Sequence, residues 1–342
     1  MIKIIVSHAR VICFLLISLV IGCVNININP AASICETTKD LSKTDVDTFD
    51  TAAKSYITLM NDTDYNGLYK VLSTNAKEII SKRDIQAVIN QIKSNYGDLK
   101  DVRLKDVFRL STTSNKQAAL CTNSLSDKKN SYSVYVLPDS QKFVTTIHEV
   151  NVGSYGRFYI IMFLVSEENN LKIRAFYFQP SGIGERDADY YLGQAEKQLA
   201  QGSNRSAFLY YSIGLQFLPN NQLVSTQYVR EVKGKMDAVT VSNLSQNVEE
   251  KWTTSTGDVF TVYRVGPTVI HNETGLSINY ITESVSNVPQ IEKESKELAS
   301  YIKTAFPEYS TAFDFILIEA TEKISADSSI PSYRASYHFS EL

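Results

Sequence analysis

Among the side chains of this 342-residue chain that could do acid–base or metal chemistry, the four histidines and two of the close aspartate pairs, Asp62/Asp64 and Asp187/Asp189, come first. His148 stands beside Glu149, but consecutive side chains on a strand point to opposite faces, so the two do not make a pair. His148 alone could act as a base at the bottom of a pocket; a strand position with no chemical role is the plainer reading. His271 falls in a turn-forming stretch and His338 near the C-terminus, and both read as solvated. No two histidines stand three to five residues apart, so helix-borne zinc spacing is absent and no metal is expected. Asp62 and Asp64 with Asn61 imitate part of a calcium loop without its distal glutamate, which makes them a turn. Asp187 and Asp189 straddle a predicted helix start, where a carboxylate complements the helix dipole. Gly182-Ile183-Gly184 lacks the third glycine and the strand-to-helix setting of a dinucleotide site. No phosphate loop or nucleophile elbow occurs, and no cofactor is expected. The 20 tyrosines are the remaining resource. Tyr56, Tyr65, Tyr69, Tyr135, Phe158, Tyr159, Phe176 and Tyr177 could line a cavity for a small ligand or simply fill a core. Tyr190-Tyr191 and Tyr210-Tyr211 could face a partner or pack two helices together.

The cysteines say more. Lys3 and Arg10 flank the start of an apolar run, Val11 to Ile21, whose length suits a signal peptide and falls short of the roughly 20 residues of a spanning helix. The run closes as Val20-Ile21-Gly22-Cys23, which resembles the lipobox of bacterial lipoproteins. That resemblance implies cleavage between Gly22 and Cys23, a diacylglycerol on the Cys23 sulfur and a palmitate-bearing anchor. The address it implies is extracytoplasmic, on the outer face of the plasma membrane or on the outer membrane. An uncleaved anchor or an ordinary secretory signal is the alternative. Cys13 leaves with the signal, so Cys35 and Cys121 remain, either as a disulfide of an oxidising compartment or as two free thiols. Net charge is −3 and no Lys/Arg run exceeds two residues, which argues against nucleic acid as a partner.

Positioning these residues requires elements, and the period of the apolar pattern changes along the chain. Residues 23–45 are polar and read as a tether. Ala52, Tyr56 and Leu59 recur at helical spacing behind a cap at Asp47 or Thr48. Tyr65, Leu68, Tyr69 and Leu72 suggest a second helix. Ile85, Val88, Ile89 and Ile92 suggest a third, with Gly97 as its stop. From Leu99 to Phe178 the pattern turns to β-branched and aromatic runs with short gaps, which implies antiparallel hairpins.

Helices followed by a curved antiparallel sheet resemble the nuclear transport factor two-like superfamily, and in particular its uncharacterised bacterial lipoprotein versions. Residues 52–65, Asn95-Tyr96-Gly97-Asp98-Leu99 and Asn170 to Phe178 carry the likeness over residues 46–180, with Leu171 where the family usually has an aromatic. It implies a cone-shaped domain, often with a hydrophobic cavity, and some enzymes of the superfamily use a histidine there.

Pro180 to Gly184 reads as a boundary. Ala188, Tyr191, Ala195, Leu199 and then Ala207, Tyr211, Gly214, Leu218 repeat at helical spacing over residues 185–239. This hairpin resembles one tetratricopeptide unit, and a solenoid needs about three. Residues 240–342 mix strands with a helix from Pro289 to Phe306.

The expectation is therefore α+β: a signal peptide at 1–22, a tether at 23–45, a cone-shaped domain at 46–180, a linking helical hairpin and a C-terminal α+β module. The functional expectation is a lipid-anchored, non-catalytic binding or assembly module with a protein partner in the bacterial envelope. The alternatives are a small-ligand binder using Tyr56, Tyr65, Tyr69, Tyr135, His148, Phe158 and Phe176, or an isomerase- or hydrolase-type enzyme with His148 as base.

Overall fold

The computed structural model describes residues 33–112, 119–123, 128, 131–136, 142–153, 156–221, 223–239, 246–270, 273–324 and 331–342. The signal peptide, the lipobox with Gly22 and Cys23, the first ten tether residues and His271 lie outside them.

The last part of the expected tether is not free chain. Residues Ser33–Thr37 form strand β1, which pairs antiparallel with a later strand and so satisfies its backbone polar groups. Helix α1 (Lys43–Asn61) begins earlier than the Asp47 or Thr48 cap predicts, because the Ser42 side chain accepts from the Asp45 N–H. Its buried stripe is Phe49, Ala53, Tyr56, Ile57 and Met60. Three more helices follow, each capped by its own short polar side chain. They are α2 (Tyr65–Val71) from Asp64, α3 (Thr74–Ile79) from Ser73, and α4 (Lys82–Tyr96) from a Ser81/Asp84 capping box.

Strands β2 (Leu99–Thr112), β3 (Ala119–Thr122), β4 (Tyr132–Val136), β5 (Lys142–Val152), β6 (Gly156–Glu167), β7 (Asn170–Ile183) and β8 (Arg186–Asp187) come next. The main sheet has the order β1-β2-β5-β6-β7-β8 and is antiparallel throughout. Register shifts at Lys100/Arg103, Leu104/Asp106, Arg157/Phe158 and Phe163/Leu164 add local twist and curl it around the helices. Pro180–Gly184 is no open linker: β7 runs through Ile183 and turns at once into β8. Gly156 has to be glycine there, since φ is +122° and a Cβ would meet the Gly182 carbonyl oxygen at 2.5 Å.

Helices α5 (Ala188–Ala200) and α6 (Asn204–Gln216) come next in the chain. Strand β9 (Val224–Thr226) and helix α7 (Gln227–Ala238) follow. A Cβ on Gly214 would lie 2.6 Å from Leu192, so glycine lets α5 and α6 approach. The hairpin is not a separate linker. β9 adds to β4 in a small sheet of order β3-β4-β9, and α5 to α7 share one apolar core with the C-terminal module.

That module comprises β10 (Gln246–Thr253), β11 (Val259–Ile270), β12 (Glu273–Ile281), α8 (Val288–Ala305), α9 (Pro307–Ala312), β13 (Phe315–Thr321) and β14 (Ser332–His338). Helix α8 ends at Ala305, just before Pro307, and Pro307 then opens α9, in keeping with its tolerance in a first helical turn. Only β12 and β13 are parallel among the described pairs, joined by the α8–α9 crossover. The fold is α+β, as expected.

Candidate functional site

Even-numbered residues of β5 face the helices, and Val144, Val150 and Val152 join the core beneath them. Thr146 and His148 lie on that same face by the two-residue period of a strand. His148 is fully buried, and its Nε2 lies 2.9 Å from Oδ1 of Asp50 on α1. Asp50 also accepts from the Lys54 ammonium, one helical turn on, at 2.7 Å. Burial pushes the His148 pKa down, against the pull of Asp50, so the ring is held neutral. For Asp50 burial raises the pKa, but the bonds from Lys54 and His148 outweigh it and the carboxyl ends below its ordinary value. With a carboxylate opposite, Nε2 carries the proton and donates, which leaves Nδ1 as an acceptor inside the protein. Nδ1 of His148 and Oγ1 of Thr146 are both buried without a hydrogen-bond partner. This is an oriented, neutral imidazole with no exposed surface. It can hold a proton between Nε2 and Asp50, but its ring meets nothing from solvent.

The aromatic set divides. Tyr56 is buried, its hydroxyl donates to the Leu171 carbonyl, and burial raises its pKa. The Tyr65 hydroxyl donates to Asn90, and the Tyr69 ring lies under the Lys77 ammonium at 5.8 Å. Phe158 stacks on Phe178 with centroids 4.5 Å apart and meets Tyr96 at 4.8 Å, while Phe176 packs beside them. These side chains pack in the core between helices and sheet, and the Tyr56 and Tyr65 hydroxyls are occupied. Tyr135, Tyr159 and Tyr177 do not belong to this interior. They pack against a second core on the sheet's other face, beneath β3 and β4, because odd-numbered positions of β6 and this part of β7 point outward. Three clefts of about 460, 880 and 670 Å³ lie elsewhere, and none is lined by a residue of the expected pocket.

The outward face carries polar groups that sequence reasoning did not single out. Glu149 accepts from Ser181 at 3.1 Å. Asp106 is buried beside a bulge of β2, where burial raises its pKa while Thr38, the Val107 N–H and Asn123 donate to it. Nearby, Cys35 of β1 and Cys121 of β3 are joined in a disulfide with Cα atoms 5.4 Å apart. The alternation of β2 gave a signal for Asp106, an acid in phase with Phe108 and Leu110.

The remaining candidates have structural uses. Asp64 caps α2, and Asp187 caps α5 while bonding Arg157 at 3.3 Å. His338 lies 4.0 Å from Glu273 and is partly exposed. Tyr191, Tyr210 and Tyr211 are buried, whereas Tyr190 is exposed beneath the Arg186 guanidinium. Among the described residues, no three His, Cys, Asp or Glu side chains are grouped so as to hold a metal ion. No family model matches the chain, and no curated protein matches it.

Proposed function

We propose that the protein is a lipid-anchored extracytoplasmic binding or assembly module of the bacterial envelope, with a nuclear transport factor two-like first domain. The observation that carries the non-catalytic part is the filled interior. Tyr56, Phe158, Phe176 and Phe178 pack the space where a cone-shaped enzyme or carrier keeps its cavity, and His148 has no exposed surface. Recognition then falls to the outer surface. The lipobox resemblance at Val20 to Cys23 supports the address, and a disulfide between Cys35 and Cys121 accords with an oxidising compartment. Two or three acyl chains on Cys23 give stable anchoring, at about 0.8 kcal/mol per buried CH₂.

Growth of a bacterial host with labelled palmitate tests the anchor. Label on the wild type that is absent from Cys23→Ala supports this reading, and an unlabelled wild type removes it. The His148–Asp50 bond favours a second reading, an acid–base enzyme. That reading requires a ring that solvent can reach. Failure of diethyl pyrocarbonate to modify His148 in the folded protein rules it out, and modification at the rate of a free imidazole revives it.

A further inference from the structure

Two lysine side chains meet at the backbone carbonyl of a third lysine where the helix layer passes along β7. Leu72 forms a parallel bridge with Ile173, and the Ser73 N–H donates to the Ile173 carbonyl at 2.8 Å, so the α2–α3 joint runs beside the start of β7. Lys70 lies in the last turn of α2, Lys77 on α3 and Lys172 on β7. The Lys77 and Lys172 ammonium groups stand 3.2 and 3.5 Å from the same acceptor, the Lys70 carbonyl oxygen. Two positive charges are thereby held within about 7 Å of each other, a repulsive arrangement even with solvent near. Among the described residues none of the three lysines has a carboxylate within ion-pair distance. Of the acids near this end of the sheet, Glu167 is committed to the Thr74 N–H and hydroxyl at 3.1 Å, while Glu168 lies in the β6–β7 turn and Glu78 on α3. A tetrahedral anion with several acceptor oxygens suits two ammonium donors that converge on one point.

The register identifies the source of that anion. Ser33 pairs with Thr112, Ser111 with Lys142, Phe143 with Val165, and Val165 with Lys172. Ser33 and Lys172 therefore stand at the same end of the main sheet, four strand spacings or about 19 Å apart. From Cys23 to Ser33 the chain spans at most about 35 Å. A lipid on Cys23 keeps this end of the sheet within reach of the headgroups.

We propose that the Lys77 and Lys172 ammonium groups form a docking site for the phosphate of an anionic phospholipid, turning the start of β7 toward the bilayer. The proposal rests on the lipid-anchor reading above. Each lysine near an anionic surface strengthens binding about fivefold, so losing two weakens it about 25-fold.

The test uses the full chain purified from bacterial membranes and reconstituted into vesicles. Backbone hydrogen exchange is followed in peptides covering residues 65–80 and 170–178. The expected result is slowed exchange on vesicles containing phosphatidylglycerol but not on pure phosphatidylcholine. It is abolished in Lys77→Gln/Lys172→Gln and by about 0.5 M salt. Equal exchange on both vesicles overturns the proposal. So does the same protection from millimolar glycerol phosphate without vesicles, which would make the site one for a free phosphate ester. Flotation on pure phosphatidylcholine reads the anchor separately. A chain that floats only on phosphatidylglycerol, and only with its lysines intact, retains the docking site and loses the anchor.

Discussion

His148 illustrates how a residue that looks catalytic in a sequence becomes structural in a fold. Its partner Asp50 lies 98 positions earlier, on a helix that no local pattern could place above β5. What was legible was the direction: Glu149 had to face the other way, and it does, bonded to Ser181. The division of the aromatic set was equally legible in principle from strand alternation, but bulges such as that at Phe163/Leu164 shift the phase. The buried imidazole gives a pH dependence. Its pKa is lowered from 6.5 by burial, so just below pH 6.5 the unfolded chain takes up a proton that the folded chain resists. Stability is full above that pH and declines as acidification proceeds through the folded value. Asp50, lowered from 3.8, contributes a separate loss only in more acid solution. The urea midpoint should fall between about pH 7 and pH 5, with a shallower fall in His148→Gln. Parallel profiles would mean that His148 titrates freely.

Among the elements, helix bodies and the hairpin rhythm of the main sheet were readable from apolar period, while starts and short strands were not. Ser42 begins α1 through a single side-chain bond, and β1 exists because β2 offers it a partner. Neither fact has a periodic signature. The disulfide joins β1 to β3 across a sequence separation of 86, a loop for which chain entropy sets an upper stabilisation of about 4–5 kcal/mol. Cys121→Ser should therefore lose about 2–5 kcal/mol by chemical denaturation. An unchanged midpoint would show that β1 is held by its backbone bonds alone. Gly156→Ala, at φ +122° against the Gly182 carbonyl, should cost about 2 kcal/mol or more. Gly193→Ala on α5, where an added Cβ meets nothing within 4 Å, should gain about 0.5–1 kcal/mol by the same melt. Equal responses would contradict the close backbone approach at the β7–β8 turn.

At the scale of the molecule, the sequence suggested three units in a row, and the chain instead crosses its own boundaries. β9 leaves the helical region to extend β4, and Tyr210 of α6 stacks on Phe313 at 5.3 Å while its hydroxyl bonds the Ala312 carbonyl. A core shared by α5 to α7 and the C-terminal sheet was not legible, because its pairing partners lie about a hundred residues apart. Native-state hydrogen exchange should give α5, α6 and β11 to β13 one common opening free energy. A hairpin that opens well before the sheet would restore the separate linker. Lipid anchoring and export underlie the proposed role, and the most direct test is the intact mass of the protein extracted from bacterial membranes, before and after reduction. The expected species begins at Cys23, carries diacylglycerol and gains the two hydrogens of one reduced disulfide. A chain that begins at Met1, bears no lipid and keeps its mass on reduction would contradict both the anchor and the compartment.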